Sequence, residues 1–247
     1  VTLSPPADQF ALSGTFNFRD VGGLRRADGA ATRPGVLLRS AQLSGLDAQG
    51  HDMLRQLRVT DVHDLRGRTE IDHIGHDTLP EDVRLHITPF DSRMEEAPPH
   101  EAQTTSARAH MIEVYRQFPT LPEAHTAITG LAGSIARGQG AVLVHCAAGK
   151  DRTGWAVATL LRAVGVTEDD VYADFLASNA AVAPLRMLLE PKIGRGEALS
   201  DDLLGVHPEY LHTADATVRE HYGDAEGYLA AIGLTGDLRE ALRTRLL

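Results

Sequence analysis

"VLVHCAAGKDRTGWAVATLL" runs from Val142 to Leu161 and holds the only cysteine of the chain, Cys146, with Arg152 six residues on. The apolar run "GAVLVH" (140–145) has the composition of a strand buried on both faces of a parallel sheet. "RTGWAVATLLRAVG" (152–165) repeats apolar residues at helical spacing and stops at Gly165. The stretch therefore reads as strand, loop of small residues, helix.

A helix that opens straight from a loop aims its first N–H groups into that loop, and its dipole places partial positive charge there. Such a cradle suits a phosphate-like anion. Ala147, Ala148 and Gly149 are small enough for the backbone to approach the anion closely. Arg152 offers a planar fork for two oxygens. Thr153 is placed to set its hydroxyl on the Cys146 sulfur, and His145 to order the loop through its ring. The same field favours thiolate over thiol, which points to a nucleophile at neutral pH. Sulfur would attack phosphorus to give a phosphocysteine that water then hydrolyses. Arg152 and the backbone neutralise the developing charge, so this chemistry calls for no metal and no cofactor. The competing reading of a lone cysteine is a small buried hydrophobe. The strand before it, the glycine within the loop and the helix after it favour the catalytic reading.

Working outward, "GVLLRSA" (35–41), "VTDVHDLR" (59–66) and "VRLHITPF" (83–90) read as strands, and "LDAQGHDMLRQL" (46–57) as a helix. Residues 1–14 read as an irregular arm, and the polar, proline-broken 91–105 as a loop or mobile cover. Helices are predicted at 106–118 and 122–137, the second opening with Pro122 and ending at Gly138. Strands alternate with helices this far, which defines an α/β fold with a central, mostly parallel sheet flanked by helices. From 167 on the pattern is all helical. Thr167 and an acidic first turn open one helix, and others are expected near 180–190, 208–222 and 237–246. One domain over 1–247 is expected, with 91–118 and parts of 167–232 as candidates for a lid or helical insertion.

The chain has 247 residues and a formal net charge of −10. A polyanionic surface repels nucleic acid, which excludes general DNA or RNA binding. No apolar run is long enough to span a bilayer, so stable membrane insertion is not expected. The start, "VTLSPPADQF", shows no basic region followed by an apolar stretch. The expected compartment is the cytoplasm by default, with secretion left open. The histidines, among them His63, His73 and His76, form no strong metal-ligand pattern. Oligomeric state is not legible.

Cys146, Arg152 and Thr153 match the C-x5-R-[ST] signature of cysteine-dependent phosphatases. The longer "HCAAGKDRTG" resembles the bacterial and fungal tyrosine phosphatase family whose loop carries Gly-Lys-Asp-Arg, which includes mycobacterial and listerial enzymes acting on phosphotyrosine and phosphoinositides. "GTFNFRDVGG" (14–23), "VHDLRGRTE" (62–70) and "HPEYLHTADATVREHYGDAEGYL" (207–229) resemble its N-terminal motif, its Asp-Leu-Arg motif and its C-terminal helical pair. The resemblance implies a cysteine-phosphatase-like fold with Cys146 as nucleophile and Arg152 as phosphate clamp. Lys150 and Asp151 match the family's loop pair. Its implied partners are phosphorylated protein or phosphoinositide substrates. The leaving group needs a proton, and three donors stand open: Asp64 at a strand end, Asp91 in "TPFDSR", and Asp151 in the loop itself. Asp64 and Asp151 have ion pairing with arginine as their structural alternative. In "NFRDVGG", Gly22 and Gly23 fit a tight turn and Arg19 is expected to pair with Asp20. Two other functions compete. One is a catalytically silent phospho-ligand binding module; the other is sulfur transfer or arsenate reduction.

Overall fold

The computed structural model describes residues 12–90, 106–192 and 199–247. The N-terminal arm before Leu12, the expected cover at 91–105 and Asp91 with it lie outside the described residues. The strands are β1 (Arg19–Asp20), β2 (Leu37–Ser40), β3 (Val59–Asp64), β4 (Arg84–Ile87) and β5 (Ala141–His145). The first helices are α1 (Ala48–Gln56), α2 (Arg68–Ile74), α3 (Ala107–Gln117), α4 (Pro122–Arg137) and α5 (Asp151–Ala163). The C-terminal part adds α6 (Glu168–Ala177), α7 (Val182–Leu189), α8 (Asp201–Leu204), α9 (Pro208–Tyr222), α10 (Ala225–Ala231) and α11 (Gly236–Leu246).

Among the described residues the sheet order is β1-β2-β5-β3-β4, with only β1 antiparallel. β5 is central because it is apolar on both faces. Val142 and Val144 face the larger core, with α3, α4, α5 and the C-terminal helices. Ala141 and Leu143 face the smaller one, with Leu54 of α1. This is the period of two expected of a strand whose alternate side chains leave opposite faces. Its consequence is positional: β5 delivers the loop after His145 to the C-terminal edge of the sheet, between the ends of β2 and β3.

The architecture is the α/β fold expected from the sequence, with a mostly parallel sheet and an all-helical C-terminal part. Thr167 caps α6 by accepting from the Asp170 N–H, as its sequence predicts. Residues 106–118, predicted as a helix and a candidate for part of a lid or insertion, form α3 and the start of a following turn, and Met111, Val114 and Tyr115 are buried in the larger core. The helix α2 was not separately legible. α2 buries only Ile71, so its apolar signal is too thin for a helical period.

β3 also carries a pH-dependent stability element. His63 stacks on His86 of β4, with ring centroids 4.6 Å apart, and its Nε2 meets Ser134 Oγ at 2.8 Å. Burial, followed by the charge of His86, holds its imidazole down at about 4 against an ordinary 6.5. Between those values the unfolded chain binds a proton that the native chain refuses. The contribution of His63 to stability is therefore complete above pH 6.5 and is lost progressively as pH falls toward 4. At pH 5 the loss is about 2 kcal/mol. Urea unfolding at pH 7 and pH 5 reads it: wild type should lose about that much more than His63→Gln. Equal losses in the two proteins would remove His63 as the cause.

Candidate active site

The loop after β5 is shaped by what holds its carbonyls. Ala147 O accepts from the Gln42 N–H at 3.1 Å. Ala148 O accepts from Asn17 Nδ2 at 3.0 Å. Gly149 O accepts from Asn17 Nδ2 at 3.0 Å and from Arg39 Nη2 at 2.8 Å. The His145 ring reaches Cys146 O through Nδ1 at 3.2 Å, so it orders the loop as expected. With four successive carbonyls turned outward, the loop amides are free to converge on the inner side at the N-terminus of α5, which is how a backbone nest binds an anion. Gly149 has φ +67°, and a Cβ there would lie 2.0 Å from Ser40 O. The glycine is thus required by the left-handed turn and by the close passage of β2 rather than by room for the anion.

Behind the loop sits a buried ionic cluster. Asp174 of α6 takes Arg19 Nε at 2.8 Å and Arg39 Nη1 at 2.5 Å, and Ser178 Oγ accepts from Arg19 Nη2 at 3.0 Å. Arg19 Nη1 also donates to Asn17 Oδ1 at 2.6 Å, which orients the Asn17 amide toward the loop. Burial and the neighbouring Arg39 charge pull Arg19 down to about 10. Burial opposes ionisation of Asp174, but the two arginines outweigh it and hold the carboxyl below its ordinary range. The expected partner of Arg19, Asp20, instead accepts from the Gly22 and Gly35 N–H groups at 2.8 and 2.6 Å. Neighbours along a strand leave opposite faces, so Arg19 and Asp20 of β1 point apart. The N-terminal motif is thereby fastened to α6 and to the loop.

Arg152 is held in one orientation by a residue that sequence reasoning missed. Its Nη1 and Nη2 donate to Glu70 Oε2 and Oε1 at 2.5 and 2.6 Å, and Nη1 also approaches Leu65 O at 3.4 Å. Glu70 sits in the first turn of α2, where its Oε2 also accepts from the Gly67 N–H at 3.0 Å. A guanidinium has five N–H donors. Three are engaged, which leaves the side edge formed by Nε–H and the outer Nη2–H. That edge has the spacing for two oxygens of a tetrahedral anion. Burial works against the Arg152 charge, but the Glu70 hydrogen bonds and the nearby negative groups raise its pKa above the ordinary value. Glu70 lay within the quoted "VHDLRGRTE" stretch, yet only its approach in space to Arg152 reveals its part.

Asp151 and Lys150 form a second pair at the mouth. Lys150 Nζ reaches Asp151 Oδ2 at 2.7 Å and Gly205 O at 3.2 Å. The Tyr115 hydroxyl donates to Asp151 Oδ1 at 2.9 Å. Burial and the Asp151 charge push the Tyr115 phenol well above its ordinary value, so it stays a donor. A cavity of about 350 Å³ opens here, lined on the loop side by Ala147, Ala148, Lys150, Asp151 and Arg152. Its opposite wall is apolar, with Met111, Val114, Phe118, Leu185, Leu188 and Leu203 among the contributors. Cys146 is not among the described residues that line this cavity; it is 3% exposed and packs in the larger core. The expected hydrogen bond from Thr153 to the sulfur is not made: Thr153 Oγ1 is buried with no hydrogen-bond partner among the described residues.

Asp64 ends β3 next to His145, as expected. Its carboxylate is engaged by Arg66, whose Nη2 lies 2.8 Å from both Asp64 Oδ2 and Asp77 Oδ1. His145 Nε2 in turn meets Asp77 Oδ2 at 2.8 Å. Asp64, Asp77 and His145 bring ligand-type atoms within 4.8 Å of one another, but the Arg66 guanidinium already serves as the cation of that cluster. Asp64 does not line the cavity, whereas Asp151 does.

A cysteine just after a central strand, a loop whose carbonyls are tethered from outside and an arginine with one open edge suit the class of the cysteine-dependent phosphatases. Residues 10–247 match the model of the tyrosine phosphatase family, and the chain belongs to that family. It is 37% identical to the triple specificity protein phosphatase PtpB of Mycobacterium tuberculosis, over 91% of this chain and 94% of the relative. It is 32% identical to a tyrosine-protein phosphatase of Cupriavidus necator, itself described as putative, over 86% of this chain and 80% of the relative. Among solved structures, Pseudomonas aeruginosa TpbA aligns over 80% of this chain and 86% of its own with a TM-score of 0.36 and 22% identity. Family membership makes the chain a protein-tyrosine phosphatase, a phosphoric monoester hydrolase. No helix among the described residues is long and apolar enough to cross a membrane.

Proposed function

We propose that phosphotyrosine is hydrolysed here through a phosphocysteine on Cys146. The observation that carries this reading is the outward tethering of the Cys146–Gly149 carbonyls beside the open edge of Arg152. The phosphoryl group docks against the inward amides with two oxygens on Arg152. The sulfur attacks phosphorus as the phosphorus–oxygen bond breaks, and the departing phenolate takes a proton from Asp151. Water then attacks phosphorus, gives its proton to Asp151, and inorganic phosphate leaves with the thiolate restored. The amides and Arg152 meet the charge on the equatorial oxygens in both steps.

Asp151 is assigned the proton because, of Asp64 and Asp151, it is the one that lines the cavity; Asp91 lies outside the described residues. Asp64 serves instead to fix Arg66 and the loop behind it. Lys150 sets the position of Asp151. The apolar side of the cavity suits an aryl leaving group, and its volume of about 350 Å³ leaves room for phosphoserine, phosphothreonine or phosphoinositide substrates. The triple specificity that names the mycobacterial relative supports that breadth.

Asp151→Asn tests the assignment. Removing a proton donor costs most when the leaving group is poor. The substitution should lower kcat on phenyl phosphate by about 10²- to 10³-fold and on 2,4-dinitrophenyl phosphate by much less. Activity should persist in a chelator and be blocked by vanadate. Equal losses on the two esters would remove Asp151 as the donor, and loss of all activity in the chelator would contradict the metal-free route.

A further inference from the structure

Tyr115 of α3 is buried and does not line the cavity at the loop, yet its hydroxyl ends 2.9 Å from Asp151 Oδ1. Its ring is held on three sides. Phe118 lies 4.9 Å away, Phe175 of α6 6.0 Å and Tyr210 of α9 5.4 Å, centroid to centroid. Tyr210 gives its own hydroxyl to Asp202 O at 2.9 Å, so it does not compete for Asp151. Met111 and Val114 of the same helix do line the cavity. Helix α3 thus turns those two to the substrate and Tyr115 to the residue that serves it.

This hydrogen bond has a fixed direction. Burial, then the Asp151 charge, push the phenol well above its ordinary value, so Tyr115 keeps its proton and donates it. The same shift makes the phenol too weak an acid to protonate the leaving group itself. Lys150 Nζ lies 3.0 Å from Asp151 Oδ1 and 2.7 Å from Oδ2, within reach of both. Oδ1 therefore faces two donors, and an oxygen so placed has no room for a proton of its own. When Asp151 is protonated, Oδ1 is the carbonyl-type oxygen and still accepts from Tyr115, while the proton sits on Oδ2. The Tyr115 bond is kept in both protonation states.

We propose that Tyr115 is a positioning residue for the proton transfer: its hydroxyl pins Asp151 Oδ1 and leaves Oδ2 as the oxygen that gives its proton to the departing phenolate and takes one back from the attacking water. The inference rests on Asp151 as the acid and goes beyond it, naming the oxygen that carries the proton and the residue of another helix that turns it. Asp151 opens α5, where a carboxyl is otherwise free to rotate about its side-chain bonds. With one oxygen held by a caged phenol that rotation is stopped, and the proton is delivered from a preset orientation.

Tyr115→Phe removes the hydroxyl and keeps the ring among Phe118, Phe175 and Tyr210, so the fold is retained, as near-ultraviolet circular dichroism should report. On phenyl phosphate, whose leaving group needs the proton, kcat/KM should fall about tenfold. On 2,4-dinitrophenyl phosphate, which leaves without one, it should fall by less than about twofold. Added to Asp151→Asn, the same change should lower neither rate further. Equal losses on the two esters, or a further loss in the double variant, would make Tyr115 a packing residue only and overturn the proposal. Full activity of Tyr115→Phe on both esters would overturn it too. Asp151→Asn alone, read on the same esters, separates this inference from the one beneath it. Equal losses there remove the acid itself, whereas an ester-dependent loss there with none in Tyr115→Phe removes only the part given to Tyr115.

Discussion

Arg152→Ala is expected to lower kcat/KM on an aryl phosphate by about 10³- to 10⁴-fold while the fold is kept. The guanidinium is fixed from behind by Glu70 and Leu65 O, so its open edge is aimed before substrate arrives. Such preorganised charge stabilises the trigonal-bipyramidal phosphoryl group without reorganisation at the moment of transfer. Arg152→Lys should rescue little, because an ammonium cannot fork two oxygens and grip Glu70 together. Glu70→Gln should cost less than the alanine change, since a neutral amide still accepts one of the two hydrogen bonds. Steady-state kinetics, with near-ultraviolet circular dichroism to confirm packing, reads all three. A loss of tenfold or less in Arg152→Ala would mean that the arginine does not touch the transferring group.

Cys146→Ser is expected to remove turnover, by about 10⁵-fold or more, and to spare binding. Serine is close to cysteine in size and the loop amides are set by the outward carbonyl tethers, which do not involve the side chain of residue 146. Its hydroxyl is un-ionised at neutral pH and is a far weaker nucleophile than a thiolate. Phosphopeptide affinity by calorimetry should stay within about threefold of wild type, while single-turnover hydrolysis disappears. Retained turnover in the serine variant would place the nucleophile elsewhere.

The chemistry was legible because it is local. Cys146 and Arg152 lie within one loop and one helical turn, between a doubly buried strand and an apolar-periodic helix, and local pattern is what sequence periodicity reports. The fold followed for the same reason, since Val142 to Val144 already declare a central strand. What was not legible is the support. Glu70 meets Arg152 across 82 residues, Arg39 meets Asp174 across 135, and Tyr115 meets Asp151 across 36. Each is a polar residue whose partner is chosen by packing, and no spacing rule reaches that far. Arg19 shows the error in its sharpest form. Its sequence neighbour Asp20 carries the right charge, yet strand geometry sends the two apart, and the true partner sits on α6. Gly149 is a second case: its need for φ +67° and for room beside Ser40 appears only when β2 is in place.

The covalent step is tested most directly by acid-quenching the enzyme during turnover of an aryl phosphate and mapping phosphate by mass spectrometry. Asp151→Asn serves as a second sample, since slower hydrolysis lets the intermediate build up. One phosphoryl group on the tryptic peptide containing Cys146, absent from Cys146→Ser and chased away by further incubation, is the expected result. Rapid product release with no phosphoryl group on that peptide at any quench time, or with the label on another residue, would contradict attack by this sulfur.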